Sequence, residues 1–385
     1  MSSHWITVLL GLYLGCVGMQ LMYLVFIFSR TSQYRRESDS FPAGPAAAEP
    51  KPARLAGVSV VVCARNELDN LRELIPLLLR QDYPDFEVIV VDDRSGDECY
   101  DFLLLEALRH ERLRLVRVNE TPPHITPKKF ALTLGIKAAR REVILLTDAD
   151  CRPVSDQWIR EMAATMEGDK EIVLGFSPYQ VKNGWLNFFI RYETFYTAVQ
   201  YLSFALAGFP YMGVGRNLMY KKSLFLRCNG FHDHLQVVGG DDDLFVSQAA
   251  NRTNVGVCLK PESFVVSIPK VTFREWFRQK KRHLSVGKHY KLRDKFLLGL
   301  LTLSQVGFWL SFLPLLVFGG QACAVATVAT FLIRMIALTV ILDKIHRRLE
   351  ATFGWYLIPV FDFLYIFYYL FTGTFAFFAK KIRWN

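Results

Sequence analysis

Residues 143–150 read Val-Ile-Leu-Leu-Thr-Asp-Ala-Asp, an apolar run that leads directly into two carboxylates separated by one residue. The apolar run predicts a buried strand, because β-branched and leucine side chains pack well on both faces of a covered sheet. The carboxylates then fall at the carboxyl end of that strand, where open α/β sheets bind their ligands. An Asp-x-Asp pair can offer oxygen ligands to a hard divalent cation, which can neutralise a diphosphate. Such a pair also occurs in ordinary loops and helix caps, so the flanking sequence decides its meaning.

Strands and helices alternate from residue 58 to about residue 270. Upstream of residue 143, the pattern predicts strands at 58–62, 87–91 and 113–118. It also predicts one helix that ends at residue 79 and two more at about 99–109 and 127–139. This alternation implies right-handed βαβ units and a mostly parallel sheet, so the predicted fold class is α/β. Three of the strands end in polar or acidic turns, which therefore meet at the ligand-binding edge. We predict a single domain at residues 57–270.

Four short motifs occur in this domain: CARNE at 63–67, VDDRS at 91–95, PKKFAL at 127–132 and TDAD at 147–150. In order, spacing and letters, residues 58–150 resemble the nucleotide-sugar half of an inverting family 2 glycosyltransferase, which has the Rossmann-like GT-A fold. In that family the first two turns hold the nucleoside, and the Asp-x-Asp holds Mg²⁺ or Mn²⁺ on the diphosphate. The alternative is an unrelated α/β domain with polar loops.

The resemblance implies a role for individual residues. The implied nucleoside-pocket residues are Ala64, Arg65, Glu67 and Asp93, with Asp93 on the uracil or ribose. Lys128 or Lys129 would lie near the base or phosphates. Asp148 and Asp150 would hold the metal ion, and Asp148 would also contact the nucleotide sugar.

The second half of the domain must supply an acceptor site and a base. Aromatic residues recur there at helical spacing, at positions Trp185, Phe188, Phe189, Tyr192, Phe195 and Tyr196. This stripe predicts either a helix packed on the sheet or a membrane-interface helix beside the acceptor entrance. The stretch at 213–217, Gly-Val-Gly-Arg-Asn, resembles the family's acceptor-side glycine loop, where glycine permits close backbone approach.

An acidic motif follows at residues 239–244, Gly-Gly-Asp-Asp-Asp-Leu. An inverting transfer needs a base that takes the proton from the acceptor hydroxyl. The family usually has Glu-Asp-x-(Asp/Glu)-Leu here. Aligning the last two residues puts the base at Asp241 and Gly240 in place of the usual Glu, so both Asp241 and Asp242 remain catalytic candidates. The alternative is a solvated acidic helix start that is favoured by the helix dipole.

Residues 271–295 form a basic segment that precedes a hydrophobic one. Such a segment is often only an anchor for lipid headgroups. Its Gln279-x-x-Arg282-His283 pattern, however, resembles the Gln-x-x-Arg-Trp signature of membrane-embedded family members, which include polysaccharide synthases and ceramide glucosyltransferase. The resemblance implies that Gln279, Arg282 and His283 contact the nucleotide sugar. Arg282 would stabilise the diphosphate leaving group, and His283 replaces the family's Trp.

Four hydrophobic segments predict membrane helices, at residues 5–28, 296–318, 322–342 and 353–379. The first has neither a basic n-region nor a small-residue cleavage site, so we predict a retained anchor (1–30) rather than a signal peptide. Arg30, Arg35 and Arg36 follow it and place the domain in the cytoplasm. A linker rich in Pro, Ala and Glu, at 31–56, would join the anchor to the domain.

The C-terminal membrane region, residues 296–385, contains two intramembrane charges, Arg334 and Asp362. Isolated charges are costly in a bilayer, so we predict that these two side chains meet. Basic residues flank the second and third segments on one side, which is then cytoplasmic. A simple last span would put Lys380, Lys381 and Arg383 outside, so that segment is either re-entrant or an exception to the charge rule.

The composition agrees with a membrane enzyme. Of 385 residues, 51% are hydrophobic and 14% aromatic, and the net charge is +10. This excess of basic residues fits anionic lipid or phosphate-bearing substrates. Nucleic acid is not an expected partner, because no basic-aromatic recognition pattern is present. The seven scattered cysteines show no metal-ligand spacing.

We therefore predict a multi-pass inner or plasma membrane glycosyltransferase with a cytoplasmic GT-A domain and a Mg²⁺ or Mn²⁺ cofactor. It would move a sugar from a nucleotide diphosphate, with UDP expected, to a lipid or glycan acceptor. The alternatives are a processive polysaccharide synthase, which needs a transmembrane channel, and a non-catalytic membrane scaffold, which would not need the acidic motifs.

Overall fold

The computed structural model describes residues 2–34 and 56–378. The predicted 31–56 linker falls mostly outside this part of the chain, as do Arg35, Arg36, Lys380, Lys381 and Arg383. The cytoplasmic orientation that these charges predicted therefore stays a prediction.

A long N-terminal helix precedes the sheet domain. It consists of α1 (Ser2–Met22), a π-helical segment (Tyr23–Phe28) and α2 (Ser29–Gln33). The domain then follows in the order β1 (Val58–Ala64), α3 (Leu68–Leu79), β2 (Phe86–Asp93), α4 (Cys99–Arg109), β3 (Leu113–Val118), α5 (Pro127–Ala138) and β4 (Val143–Asp148). The predicted bounds of α4 and β3 match those observed, and the other predicted elements differ by at most a few residues at their ends.

The elements of the second half of the domain include short strands and one long helix. They are β5 (Cys151–Pro153), α6 (Trp158–Thr165), β6 (Ile172–Leu174), α7 (Trp185–Leu206), β7 (Leu218–Lys221), α8 (Lys222–Arg227), α9 (Asp243–Ala249), β8 (Val255–Val257) and β9 (Val265–Ser267). Four further helices complete the described chain: α10 (Phe273–Val286), α11 (Leu292–Phe318), α12 (Gly320–Arg348) and α13 (Ile358–Phe378).

In the described part of the chain, the main sheet has seven strands in the order β3-β2-β1-β4-β7-β6-β8. It is mostly parallel, and β7 runs antiparallel to both of its neighbours. The α/β prediction is therefore confirmed. The register aligns Ala64 with Asp92 and Cys63 with Asp148, so the polar turns after β1, β2 and β4 lie at one edge.

The sheet is buried on both faces, as its continuous apolar strands predict. One face packs on α3, α4 and α6 through residues such as Leu74 and Trp158. The other face packs on α5 and α7, and its core continues without a break into the C-terminal helices at Leu342 and Phe361. The sheet domain and the helical region therefore share one hydrophobic core.

Within the described residues, four helices are long and apolar enough to cross a membrane, at His4–Gln33, Leu292–Phe318, Gly320–Arg348 and Trp355–Thr372. Many of their large apolar side chains are exposed, for example Leu303 and Ile336. A lipid bilayer would cover such a surface.

The predicted meeting of Arg334 and Asp362 is confirmed. The guanidinium of Arg334 forms a two-pronged ion pair with both carboxylate oxygens of Asp362, with Nη2 at 2.8 Å from Oδ1. Gln305 Nε2 and Trp309 Nε1 also donate to that carboxylate, at 3.0 and 2.9 Å. Gln20 Oε1 accepts from Arg334 Nη2 at 3.1 Å, so the network joins α1, α11, α12 and α13. Both charges are thus paired and hydrogen-bonded, as buried ions require.

Candidate active site

Two adjoining cavities lie at the carboxyl edge of the sheet. We call them the outer cavity, of about 460 Å³, and the inner cavity, of about 260 Å³. Five residues line both: Lys128, Asp148, Arg216, Gln279 and Arg282. This shared wall is where a group bound in one cavity can meet a group bound in the other.

The outer cavity gathers most of the residues that the sequence assigns to a donor. Besides shared-wall residues, its lining includes Ala64, Arg65, Glu67, Asp93 and Asp150. The inner cavity contains both catalytic candidates, Asp241 and Asp242, together with His283.

Two turns that are hydrogen-bonded to each other carry residues of the outer cavity, Arg65 and Glu67 in one and Asp93 at the start of the other. Asn66 and Arg94 adopt left-handed backbone conformations there, with φ of 55° and 56°. The backbone N–H of Asn66 donates to Ser95 Oγ at 3.0 Å, and Gly96 N–H donates to Asn66 Oδ1 at 2.7 Å. Asp93 is buried and accepts from Arg94 Nε at 2.8 Å. Because each turn holds the other, the edge is a rigid frame, and strained backbone of this kind clusters at ligand sites.

Lys128 links the two acidic motifs. Its Nζ lies 3.1 Å from Asp148 Oδ1 and 3.1 Å from Asp241 Oδ2. Burial alone would lower the pKa of Lys128, but these carboxylates outweigh it and raise the pKa well above its usual value. Burial alone would likewise raise the pKa of Asp241, but Lys128 lowers it below the usual range. Both groups are therefore charged at neutral pH.

Lys129 does not line either cavity, so of the two lysines that were expected near the base or phosphates only Lys128 lies there. Its Nζ donates to the carbonyl oxygens of His234 at 2.6 Å and Val237 at 2.7 Å, and it is not part of either cavity lining. Burial lowers the pKa of Lys129 to about 8. Neighbouring helix residues point about 100° apart, and here Lys128 faces the cavities whereas Lys129 does not. Lys129 instead holds the loop that leads to the acidic motif.

Asp242 has a structural task that Asp241 lacks. Its Oδ1 accepts from Asp243 N–H at 2.8 Å and caps α9, and its Oδ2 accepts from Gly215 N–H at 2.7 Å. Burial and the neighbouring Asp241 raise the pKa of Asp242. Both of its oxygens are thus engaged by backbone donors, which favours Asp241 as the base.

The backbone conformation at residue 240 accounts for the glycine that stands in place of the family's usual Glu. Its φ is +71°, and a Cβ added there would lie 2.7 Å from Leu244 Cγ. A side chain at this position would be strained and crowded, because L-residues rarely adopt that conformation. This chain therefore cannot place a glutamate there without rearranging the start of α9.

Asp150 and Asp148 suit a divalent cation in chemical type. Burial and the neighbouring charge of Asp148 raise the pKa of Asp150, and Asp150 Oδ1 receives a weak hydrogen bond from Cys151 Sγ at 3.6 Å. A cation would offset both effects. Among the described residues, no group of three or more His, Cys, Asp or Glu residues is placed to hold a metal. An ion here would therefore complete its coordination with phosphate and water oxygens.

The helix α10 brings the Gln-x-x-Arg-His residues to the cavities. It begins at a Thr272 cap whose Oγ1 accepts from Glu275 N–H, and Trp276 anchors its buried face. Gln279 and Arg282 reach the shared wall, whereas His283 lines the inner cavity rather than the outer one. Burial, with the nearby cations Lys280 and Arg282, holds the pKa of His283 well below its usual value, so this imidazole is neutral.

The aromatic helix α7 forms a wall between the sheet and the candidate membrane spans. Tyr192 stacks on Phe361 at 4.2 Å between ring centroids, and Tyr201 donates to Gly175 O at 2.7 Å. Glu193 pairs with Lys280 of α10 and lines the inner cavity beside Tyr368 of α13. The helix therefore combines features of both predictions: it packs on the domain and also touches a candidate membrane span.

Sequence reasoning missed several residues of the site. Arg216 lines both cavities, Lys270 and Arg278 line the outer one, and Tyr290 donates to Asp243 Oδ2 at 3.1 Å in the inner one. The glycine loop at 213–217 was a usable signal for Arg216. Arg278 and Tyr290 lie in the basic segment at 271–295 but outside its Gln-x-x-Arg-His pattern, and Lys270 directly precedes that segment.

Comparison with known proteins agrees with this geometry. Residues 59–227 match the model of Glycosyl transferase family 2, so this region is a domain of that family. The chain is 31% identical over 122 residues to poly(ribitol-phosphate) beta-glucosyltransferase of Bacillus spizizenii, covering 31% of this chain and 18% of that protein. It is 26% identical over 132 residues to beta-monoglucosyldiacylglycerol synthase of Trichormus variabilis, covering 34% and 25%. The chain spans less than half the length of the curated relatives it matches.

The fold is also similar to that of a solved structure, mannosyltransferase PcManGT from Pyrobaculum calidifontis in complex with GDP-Man and Mn²⁺. The TM-score is 0.56 at 19% sequence identity, covering 90% of this chain and 98% of the other. This similarity reaches beyond the family-matched region and concerns the fold alone.

Proposed function

We propose that this protein is a membrane-bound inverting glycosyltransferase that moves a sugar from a nucleotide diphosphate, with UDP expected, to a hydroxyl of a lipid or glycan. The observation that carries this proposal is the convergence on Lys128. Asp148 of the donor motif and Asp241 of the base motif are distant in sequence, yet each lies 3.1 Å from the same ammonium.

The outer cavity would hold the donor. Its turns, with Arg65, Glu67 and Asp93, would surround the nucleoside, and the diphosphate would lie towards Asp148 and Asp150. A Mg²⁺ or Mn²⁺ ion on these two carboxylates would neutralise negative charge on the diphosphate. Arg282 on the shared wall would donate to the leaving phosphate as its charge builds.

The inner cavity would hold the acceptor hydroxyl against Asp241. The acceptor oxygen attacks the anomeric carbon from the face opposite the diphosphate. As that bond forms, the bond from the anomeric carbon to the diphosphate oxygen breaks, and the nucleoside diphosphate leaves with the electron pair. The acceptor proton passes to Asp241, which Lys128 keeps ionised.

A lipid acceptor is favoured over a growing polysaccharide. Tyr368, in a helix apolar enough to span a membrane, lines the inner cavity, so the acceptor side adjoins the bilayer region. One relative is named as a glucosyldiacylglycerol synthase, which supports a lipid. We propose a cytoplasmic domain on the inner or plasma membrane. A non-catalytic scaffold would not need the two acidic motifs to meet.

A transfer assay tests the proposal. Purified protein in lipid nanodiscs would receive radiolabelled UDP- and GDP-sugars with Mg²⁺ or Mn²⁺, and label in the lipid fraction would be measured. We expect transfer from one donor, with Asp241→Asn lowering the rate by about 10²- to 10⁴-fold while nucleotide binding changes by less than about threefold. Absence of transfer from every donor, or full activity of Asp241→Asn, would contradict the mechanism.

A further inference from the structure

Arg216 lies half-buried on the shared wall, and part of its guanidinium is unused. Its Nη1 has no hydrogen-bond partner within the described residues, and its Nη2 makes only a long contact of 3.4 Å with Ser177 O. Arginine cannot lose its charge at physiological pH, and an unpaired buried donor is costly. Such a group is poised for a ligand that supplies the missing acceptor.

The surroundings hold the guanidinium in one place. It lies over the ring of Tyr179, 4.4 Å from the centroid, in a cation–π contact. Tyr179 is itself tied to α10, because Gln279 Nε2 donates to its hydroxyl at 3.4 Å. The backbone next to Arg216 is fixed as well, since Gly215 N–H donates to Asp242 Oδ2 at 2.7 Å. The acidic motif, the glycine loop and α10 therefore together hold the side chain of Arg216 in place.

The position of Arg216 points to an anionic ligand on the donor side. It lines the outer cavity together with Asp148 and Asp150. Burial raises the pKa of Asp150, and the positive charge of Arg216 opposes part of that rise. A planar fork of N–H donors matches phosphate oxygens better than a point charge does. Arg282 lines the same wall.

We propose that Arg216 binds the diphosphate of the nucleotide sugar as a second guanidinium beside Arg282, and that it selects diphosphates over monophosphates. This inference rests on the proposed function, because it needs a nucleotide diphosphate in the outer cavity. It assigns the charged residue of the glycine loop to the donor, whereas the loop's resemblance pointed to the acceptor side.

Calorimetric titration of the full-length protein with UDP, UMP, GDP and GMP in the presence of Mg²⁺ tests this assignment. Arg216→Met should weaken the preferred nucleoside diphosphate by about 10- to 100-fold, the range of a charge-assisted hydrogen bond, and the monophosphate by less than about threefold. The diphosphate affinity of Arg216→Lys should lie between those of the wild type and Arg216→Met, because lysine keeps the charge but lacks the planar fork of N–H donors. Thermal unfolding of each variant would show that it is folded.

Arg227→Met is the matched control. Arg227 lies on α8, is exposed, pairs with Glu171 and lines neither cavity. We expect it to leave all four affinities unchanged. If Arg216→Met weakens the binding of diphosphate and monophosphate equally, or weakens neither, the inference is overturned while the proposed function stays intact. Failure of the wild-type protein to bind any of the four nucleotides would instead overturn the proposed function, and the inference with it.

Discussion

Replacing Lys128 by glutamine should move the acid limb of the pH–rate profile to higher pH. In the proposed mechanism Asp241 must be ionised, so kcat/KM for the acceptor falls as the pH drops through the pKa of Asp241. Lys128, at 3.1 Å, keeps that pKa below its ordinary value. Without this cation, burial and the neighbouring carboxylate of Asp242 act with less opposition, so the pKa rises and activity is lost at a higher pH.

The size of the shift follows from Coulomb's law. Two unit charges about 4 Å apart interact by about 4 kcal/mol at an effective dielectric constant near 20, and one pKa unit corresponds to about 1.36 kcal/mol. The ceiling is therefore about three units. The side chain of Lys128 is 27% exposed, and Arg282 continues to lower the pKa of Asp241. Because solvent screens the pair and this second cation remains, we expect a shift of about one to two units.

The assay is kcat/KM for the acceptor at saturating donor across the acid range. Lys137→Gln is the control, because Lys137 lies on the same helix but is exposed. Nucleotide binding measured over the same pH range would separate Asp241 from Asp148, which also loses its partner in Lys128→Gln. An acid limb that stays in place, or one that moves only in parallel with nucleotide binding, would refute the assignment of Asp241 as the base.

Three further outcomes are expected. Arg334→Met should lower the free energy of unfolding in detergent by about 3–5 kcal/mol, because it leaves Asp362 buried and unpaired. The double variant with Asp362→Leu should recover much of that loss, and purely additive losses would show that the pair is uncoupled. Chelation with EDTA should stop transfer, and Mg²⁺ or Mn²⁺ should restore it; transfer that persists would exclude the ion from catalysis. Gly240→Ala should destabilise the fold by about 1–3 kcal/mol, whereas Gly287→Ala, where an added Cβ meets nothing within 4 Å, should be neutral; equal stabilities would refute the strain at Gly240.

Local patterns were enough to predict the parallel half of the sheet and the edge that carries the site. The strands at 58–64, 86–93 and 143–148 have continuous apolar runs that end in polar turns, and parallel pairing brings such turns together. The contact between Arg334 and Asp362 was also predictable, because the cost of each charge in an apolar helix leaves pairing as the favourable solution.

Other features depend on tertiary geometry that no local pattern encodes. Adjacent lysines at 128 and 129 look alike in the sequence, and only the rotation of α5 shows that one faces the cavities and the other holds backbone carbonyls. The antiparallel insertion of β7 between β4 and β6 is likewise a long-range pairing. Arg216 gains its significance from its cation–π contact with Tyr179 and from its half-buried position on the shared wall, and neither can be read from the adjoining sequence.

A structure with a nucleoside diphosphate and Mn²⁺ bound would test the central claim most directly. We expect a nucleoside between the turns of Arg65 and Asp93, with its diphosphate at Asp148, Asp150 and Arg282 and with Asp241 facing the vacant acceptor side. A nucleotide bound away from the outer cavity, or one whose phosphates lie far from both Asp148 and Asp150, would contradict it.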